Sequence, residues 1–373
     1  MKTIIIGGGI MGLATAWGLA RQGHDVELFE QGPLPNPLAS SMDEHRLIRH
    51  PYGTHAGYAR MIDEAYAAWD LLWNDLGQTL HEPTGTLALS GNGADWAQNS
   101  AATLASIGRP MTELSMEELP RRFPLLDTKG LERAFWIETG GVLLAQDIVS
   151  ALASHLSAQP RVKLHAGVPI RSVDLEHGRV ATDLGTTHAA DVVVVAAGAW
   201  ASRLVPDLAG RVVPSRQVVI YFDLPEDQRL PWAKGPMIIE KTGDVGLYLV
   251  PPVRGRGMKV GDHEFSRTGD PTAARDAAPD EMRALLDRCG SLLRGFDRWK
   301  IRNLKVCFYS VTDDERFVVE KQGGKGWVIS PCSGHGFKFG AVMGLELART
   351  IAEGRDAAAH ARWAAGLAGD GPT

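Results

Sequence analysis

The chain is poor in cysteine, with three in 373 residues. Cys289, Cys307 and Cys332 are too few and too scattered for a disulfide framework or a zinc site, and no metal is expected. Long hydrophobic runs are also missing. The most apolar stretch, 192–201, falls well short of the roughly 20 residues that span a bilayer, so no membrane association is expected. Nothing resembling a signal peptide precedes the first apolar segment, and the expected location is cytoplasmic. Strong charge of either sign is lacking. A net charge of −5 and a pI near 6.2 give no reason to expect nucleic acid or an anionic membrane surface as a partner. There is no low-complexity tract, short repeat or heptad pattern, and a monomer is expected. What remains is ordinary globular composition, 44% hydrophobic and 22% charged, in a chain long enough for two lobes with substantial cores.

The amino terminus carries a nucleotide-site pattern. Residues 3–6 are a short apolar run suited to a buried parallel strand, and Gly7-Gly8-Gly9-Ile10-Met11-Gly12 then opens a helical stretch, 13–22. Gly7, Gly9 and Gly12 fit the frame G-x-G-x-x-G. In that frame the first glycine makes the tight turn, the second admits a pyrophosphate, and the third lets helix and strand pack closely. Free N–H groups at the helix start favour phosphate charge. A second strand, 26–29, ends in Glu30, an acid placed to accept hydrogen bonds from ribose hydroxyls roughly 20 residues beyond the glycines. A glutamate here, with no nearby arginine, argues against a 2′-phosphate. The pattern does not by itself separate NAD from FAD.

The late part of the chain bears on that choice. Cys307 stands in Lys305-Val306-Cys307-Phe308-Tyr309, followed by Gly334-His335-Gly336-Phe337-Lys338-Phe339. After a nucleotide-binding start, such a thiol is a candidate anchor for a flavin, although a strand cysteine also serves simply as a small hydrophobe. Gly334 and Gly336 precede a final helix, 340–351, whose free N–H donors could face a second phosphate-like or ring contact.

Between these ends the organisation reads as interleaved. A helix is expected over 58–76 and a strand over 81–89. A short helix follows at 116–123, a longer one at 145–156, and strands near 162–164 and 168–175. The run 191–197 ends in Gly198-Ala199-Trp200, as a buried parallel strand reaching a glycine turn would, and should rejoin the nucleotide lobe. From 214 to 260 the pattern changes to Val/Ile/Tyr-rich strands at 217–222, 237–240 and 246–250, suited to an antiparallel sheet bearing a substrate cavity. A helix over 279–293 and strands at 304–309 and 327–331 complete the pattern. The expected fold is α/β: a Rossmann-type dinucleotide-binding domain (1–78, 143–212 and 302–373) interleaved with a mainly antiparallel-sheet substrate domain (79–142 and 213–301).

Taken in order, Gly7 to Gly12 with Glu30, Arg46-Leu47-Ile48-Arg49-His50 with Tyr52-Gly53, Gly198-Ala199-Trp200, Arg216-Gln217-Val218-Val219, Lys259 with His263, Cys307, and Gly334 to Phe339 resemble the monomeric sarcosine oxidase family. That family lies within the D-amino-acid-oxidase-like flavoproteins, whose members oxidise secondary amino acids. The resemblance covers nearly the whole chain and implies covalent FAD, with Cys307 as the thioether partner of the flavin. A cationic neighbour, Lys305 being the candidate, would favour the thiolate.

It further implies that Arg49 and Lys338 hold the substrate carboxylate, a role suited to a planar guanidinium fork and a point-charge ammonium. Arg46 and Lys259 correspond to residues on the opposite flavin face, where a fixed cation stabilises charge passing to oxygen. Tyr248 and His263 correspond to positions that orient or deprotonate the substrate amine, and His335 to one that orders backbone beside the flavin. As solitary residues, each of these equally suits a packed or solvated position.

Two departures stand out. Where sarcosine-oxidising members commonly carry His and Thr ahead of the double-arginine motif, this chain has Met42 and His45, and the segment 237–242 lacks a close match. The expected activity is FAD-dependent oxidation of a secondary or N-alkylated amino acid, with oxygen as acceptor and hydrogen peroxide as product. A same-fold dehydrogenase passing electrons to a quinone or an electron-transfer protein is the alternative.

Overall fold

In the computed structural model, residues 1–91, 93–242 and 246–367 are described. The apolar run at the amino terminus becomes the strand Lys2–Ile6, central in a six-stranded sheet. Its parallel neighbours are Val192–Val195 on one side and Asp25–Glu30 on the other, extended by Gly326–Ser330 and Val162–Ala166. An antiparallel strand, Val318–Gln322, closes one edge. Ile4, Ile5, Val193, Val194 and Val195 are fully buried, as continuous Val/Ile runs must be when both sheet faces are covered.

Two helices cover one face, Ile10–Arg21 and Gly340–Glu353. They pack unusually close because a Cβ on Gly344 would come within 2.4 Å of the Ala14 carbonyl carbon, and one on Gly18 within 2.7 Å of Ala348 Cβ. This contact brings the starts of the two helices, at Ile10 and Gly340, to the same end of the sheet; a further helix, Ala357–Ala364, follows the one expected to be final.

The second lobe is an eight-stranded sheet in the order Lys300–Val311, Val213–Asp223, Met258–Asp262, Leu247–Val250, Met237–Thr242, Thr86–Gly91, Arg133–Ile137 and Thr112–Leu114. Its neighbours are antiparallel except Met237–Thr242 with Thr86–Gly91, which run parallel. The helix Pro279–Leu292 covers one face through Leu285, Cys289 and Leu292, and Cys289 is buried there as a small hydrophobe.

The expected elements change in three places. The strand expected over 81–89 is two: His81–Pro83 pairs in a small sheet with Gly141–Leu143, and Thr86–Gly91 enters the large sheet. Between them the Thr84 and Gly85 amides both donate to the Gly140 carbonyl, which turns the chain. The helix expected over 116–123 shrinks to Leu119–Arg122: Pro120 has no N–H to bond back to the Met116 carbonyl, and Pro124 biases Phe123 away from helical geometry. The division expected at 302 falls inside Lys300–Val311, which pairs with Val213–Asp223 from Val213↔Val311 to Asp223↔Lys300. That strand therefore belongs to the larger sheet, and it carries Cys307.

Candidate active site

A cavity of about 710 Å³ runs from the glycine loop of the six-stranded sheet to the inner face of the eight-stranded one. Of the candidate residues, Gly7, Gly9, Glu30, Gly198, Gly334, Gly336, Arg46, Arg49, Tyr248, Lys259, His263 and Lys338 border it, whereas Gly12 and Cys307 do not. Gly12 acts behind the wall: a Cβ there would lie 1.9 Å from the Gly7 carbonyl oxygen, so glycine lets the helix begin against the strand. Gly7 adopts φ +110°, and a Cβ would meet the Ala196 oxygen at 2.4 Å.

The Glu30 carboxylate accepts from the Gly8 amide at 2.7 Å, the Gly32 amide at 3.0 Å and Asn36 Nδ2 at 2.7 Å. A carboxylate has about four acceptor positions, so Glu30 retains capacity for a ribose hydroxyl. The Ile10 amide at the helix start donates to Ser41 Oγ at 3.0 Å; glycine loop, helix start and buried acid together fit the adenine-dinucleotide end of FAD.

Further along the cavity Asp43, which the sequence reading did not single out, organises a buried cluster. Lys259 Nζ donates to Asp43 Oδ2 at 2.5 Å, Tyr221 donates its hydroxyl to Asp43 Oδ1 at 2.5 Å, and Arg46 Nη1 donates to the same carboxylate. Burial alone would raise the Asp43 pKa, but Arg46, Lys259 and Lys305 more than offset it and hold the carboxyl well below its usual range. Burial and the Arg46 charge bring Lys259 down to about 8 even with Asp43 beside it.

Met42 and His45, expected near the flavin, lie behind the cavity wall and contribute backbone: Lys259 donates to the His45 carbonyl at 3.2 Å, and Lys305 to that of Met42. The His45 ring, fully buried, is held neutral with a pKa near 3 by burial and Lys259.

Arg49 and Lys338 form a second cationic group of different character. Lys338, 3% exposed, donates to the Tyr52 hydroxyl at 3.1 Å and the His335 carbonyl at 2.8 Å. Its backbone carbonyl accepts from Trp69 Nε1 at 2.7 Å. Arg49, 7% exposed, lies with its guanidinium 4.3 Å from the centre of the Tyr52 ring and 5.6 Å from that of Trp96. Among the described residues, its Nε and Nη1 have no hydrogen-bond partner, and neither cation forms an ion pair. Burial, then the neighbouring cation, pushes the Lys338 pKa well down, and burial lowers that of Arg49.

Between these groups stand Tyr248 and His263, with rings 5.5 Å apart. Burial and the charges of Lys241, Arg49 and Lys338 keep His263 neutral, and its Nε2 has no partner among the described residues. Asp262, next to it, accepts from Gln217 Nε2 at 2.6 Å, and burial raises its pKa to about 6.

Cys307 packs with Tyr309 and Val311 against Cys332. Burial raises its pKa, while Arg46 and then Lys259 act to lower it. The cation beside the thiol is therefore Arg46, and Lys305, the expected one, is spent on the Met42 carbonyl. Cys332, which the sequence reading left as a structural cysteine, borders the cavity.

The family model described as DAO, FAD dependent oxidoreductase, matches residues 2–350. Monomeric sarcosine oxidase of Bacillus sp. (strain NS-129) is 27% identical over 366 residues, covering 94% of this chain and 93% of its own. N-methyl-L-tryptophan oxidase of Yersinia pestis (strain Pestoides F) is 25% identical over 364 residues, covering 94% of each. Among solved structures, L-proline dehydrogenase from P. horikoshii superposes with a TM-score of 0.82 at 20% identity, over 98% of this chain and 96% of its own.

Proposed function

The chain belongs to the DAO family of FAD-dependent oxidoreductases, and from that premise we propose that it is an oxidase of secondary or N-alkylated amino acids that carries FAD on Cys307. The observation that carries this reading is the Arg49 and Lys338 pair, buried without a counter-ion among the described residues in the cavity that the glycine loop also borders. A carboxylate is the group such a pair lacks. The relatives named for sarcosine and N-methyl-L-tryptophan oxidation support an N-alkylated amino acid.

When bound, FAD supplies the two-electron acceptor, so that H–C–N–H becomes C=N with loss of two electrons and two protons, and oxygen takes both to leave as hydrogen peroxide. The chain's own groups prepare that exchange. Arg49 and Lys338 fix the carboxylate. The unpartnered Nε2 of neutral His263 can accept the amine N–H, favouring the nitrogen lone pair that C–H cleavage needs. Arg46 and Lys259 supply positive charge on the far side for oxygen reduction, and Arg46 lies where it favours the Cys307 thiolate. Water then hydrolyses the released imine.

Anaerobic bleaching of the yellow protein across sarcosine, proline, pipecolate, N-methyl amino acids and glycated amino acids tests the reaction class, and a panel that leaves the colour unchanged refutes it. Acid precipitation should leave the flavin in the pellet and Cys307→Ser should release it; wild-type flavin wholly in the supernatant removes the covalent bond. One observation favours a second reading, a dehydrogenase, because the oxygen-side lysine is already ion-paired to Asp43. Bleaching by substrate without oxygen consumption would establish it. Under the oxidase reading, Lys259→Met slows reoxidation far more than substrate-driven bleaching.

A further inference from the structure

Beyond Arg49 and Lys338, a further cation, Lys241, borders the cavity. Lys241 is on the strand Met237–Thr242, the segment without a close match to the sarcosine-oxidising pattern. Ile239 lies opposite Tyr248 in the adjoining strand, and Lys241, two residues on, shares that face. Its stem borders Gly246 together with the His263 ring: a Cβ on Gly246 would lie 2.7 Å from Lys241 Cδ and 3.4 Å from His263 Cδ2. The intervening Glu240 projects through the opposite face, where Arg288 Nη2 binds it at 2.5 Å, so the acid nearest in sequence is committed elsewhere. Among the described residues, the half-buried Lys241 ammonium has neither an ion-pair nor a hydrogen-bond partner, yet it borders the cavity.

Arg49, Lys338 and Lys241 face one space, and no described carboxylate pairs with any of them. Asp262 accepts from Gln217; Asp95, Asp314 and Glu315 also border the cavity, and Glu315 favours the Lys241 and Arg49 charges from a distance without forming an ion pair with either. An α-carboxylate held by Arg49 and Lys338 leaves Lys241 without a direct ion pair among the described residues. Desolvating a cation is costly unless an anion meets it, and a second negative group on the substrate would do so.

We infer that the substrate is an N-alkylated amino acid with an acidic side chain, of the N-methylaspartate or N-methylglutamate class, whose second carboxylate binds Lys241. This rests on the proposed reaction. It makes Lys241 a specificity-determining residue, and the match of side-chain length to the span from Arg49 to Lys241 would select between the two acids.

The experiment compares N-methyl-L-glutamate with its near-isosteric amide, N-methyl-L-glutamine, as substrates of the holoenzyme, together with N-methyl-L-aspartate and sarcosine. In parallel, calorimetry measures binding of glutarate and of butyrate, which are not oxidised. The better N-methyl diacid should exceed the amide in kcat/KM by about tenfold to a hundredfold, the range of one charge-assisted hydrogen bond. Glutarate should bind more tightly than butyrate. Lys241→Met should collapse both ratios toward one, and Lys241→Arg should keep them above one. Equal kcat/KM for diacid and amide, or ratios that survive Lys241→Met, would overturn the inference while turnover of sarcosine left the reaction class standing. Failure of every N-alkyl amino acid to bleach the protein would instead refute the reaction class, and this inference with it.

Discussion

Two pairs of cations border the same cavity, and they are built in opposite ways. Arg46 and Lys259 share the Asp43 carboxylate, which Tyr221 also serves, in a cluster where Lys259 and Asp43 side chains are 1% and 2% exposed. Arg49 and Lys338 are comparably buried but have hydroxyl, carbonyl and aromatic neighbours in place of a carboxylate. The first pair is a structural unit built around an internal carboxylate, with one negative charge set between its two positive ones. The second is a binding unit, left unbalanced so that the ligand supplies the counter-charge. Burial alone therefore does not tell a structural ion pair from a binding site; the presence or absence of an internal partner does.

The largest expected effect comes from unbalancing the finished unit. Asp43→Asn keeps the shape but strands two buried cations, and should cost about 3–5 kcal/mol of folding stability, read by denaturant unfolding of the holoprotein. A change below 1 kcal/mol would show the cluster to be solvated. The same carboxylate gives the pH dependence. Its folded pKa is depressed below an unfolded value of about 3.9. The stabilisation is therefore present above that value and is lost as pH falls below it toward the folded pKa. The wild type should lose stability on that acid limb, and Asp43→Asn should show a flatter one.

The second pair should behave in reverse. Arg49→Met and Lys338→Met each remove a buried charge that has no counter-ion among the described residues, so folding stability should hold or rise. Catalysis should fall by about 1.5–3 kcal/mol in kcat/KM for a carboxylate substrate, one charged hydrogen bond each. Equal turnover of an amino acid and its methyl ester by the wild type would take the carboxylate clamp away. A stability loss as large as that of Asp43→Asn would erase the distinction between the pairs.

The smallest effect sharpens the comparison from within the first unit. Tyr221→Phe deletes one donor to Asp43 while both cations remain, and should cost about 1 kcal/mol of stability. A loss as large as that of Asp43→Asn would make the phenol, and not the charge pairing, the main support of the cluster.

Much of this architecture was legible before any coordinates. The strand, glycine turn, helix and terminal acid at the amino terminus follow from local rules, because backbone freedom, helix-start donors and apolar runs act over a few neighbouring residues. Helices at 58–76 and 145–156 were likewise set by apolar spacing and appear as Ala56–Leu76 and Ala145–Ser157. The strands around 84 and 302 were misread because pairing across a sheet, not local pattern, decides which sheet a strand joins.

Motif resemblance picked out Arg46, Arg49, Lys259 and Lys338, but it could not say which of them are balanced. The partner of Lys259 is 216 residues away in the chain, and that of Lys338 at Tyr52 is 286 away. Nothing in the residue types marked Asp43 as the internal counter-ion or Lys241 as an unpaired cation facing the cavity. By itself the sequence determined the nucleotide-binding frame and which basic residues were available. Only the tertiary structure decided which charges met an internal partner, because Coulomb energy and desolvation depend on separation in space and on exclusion of water, and neither is encoded by proximity along the chain.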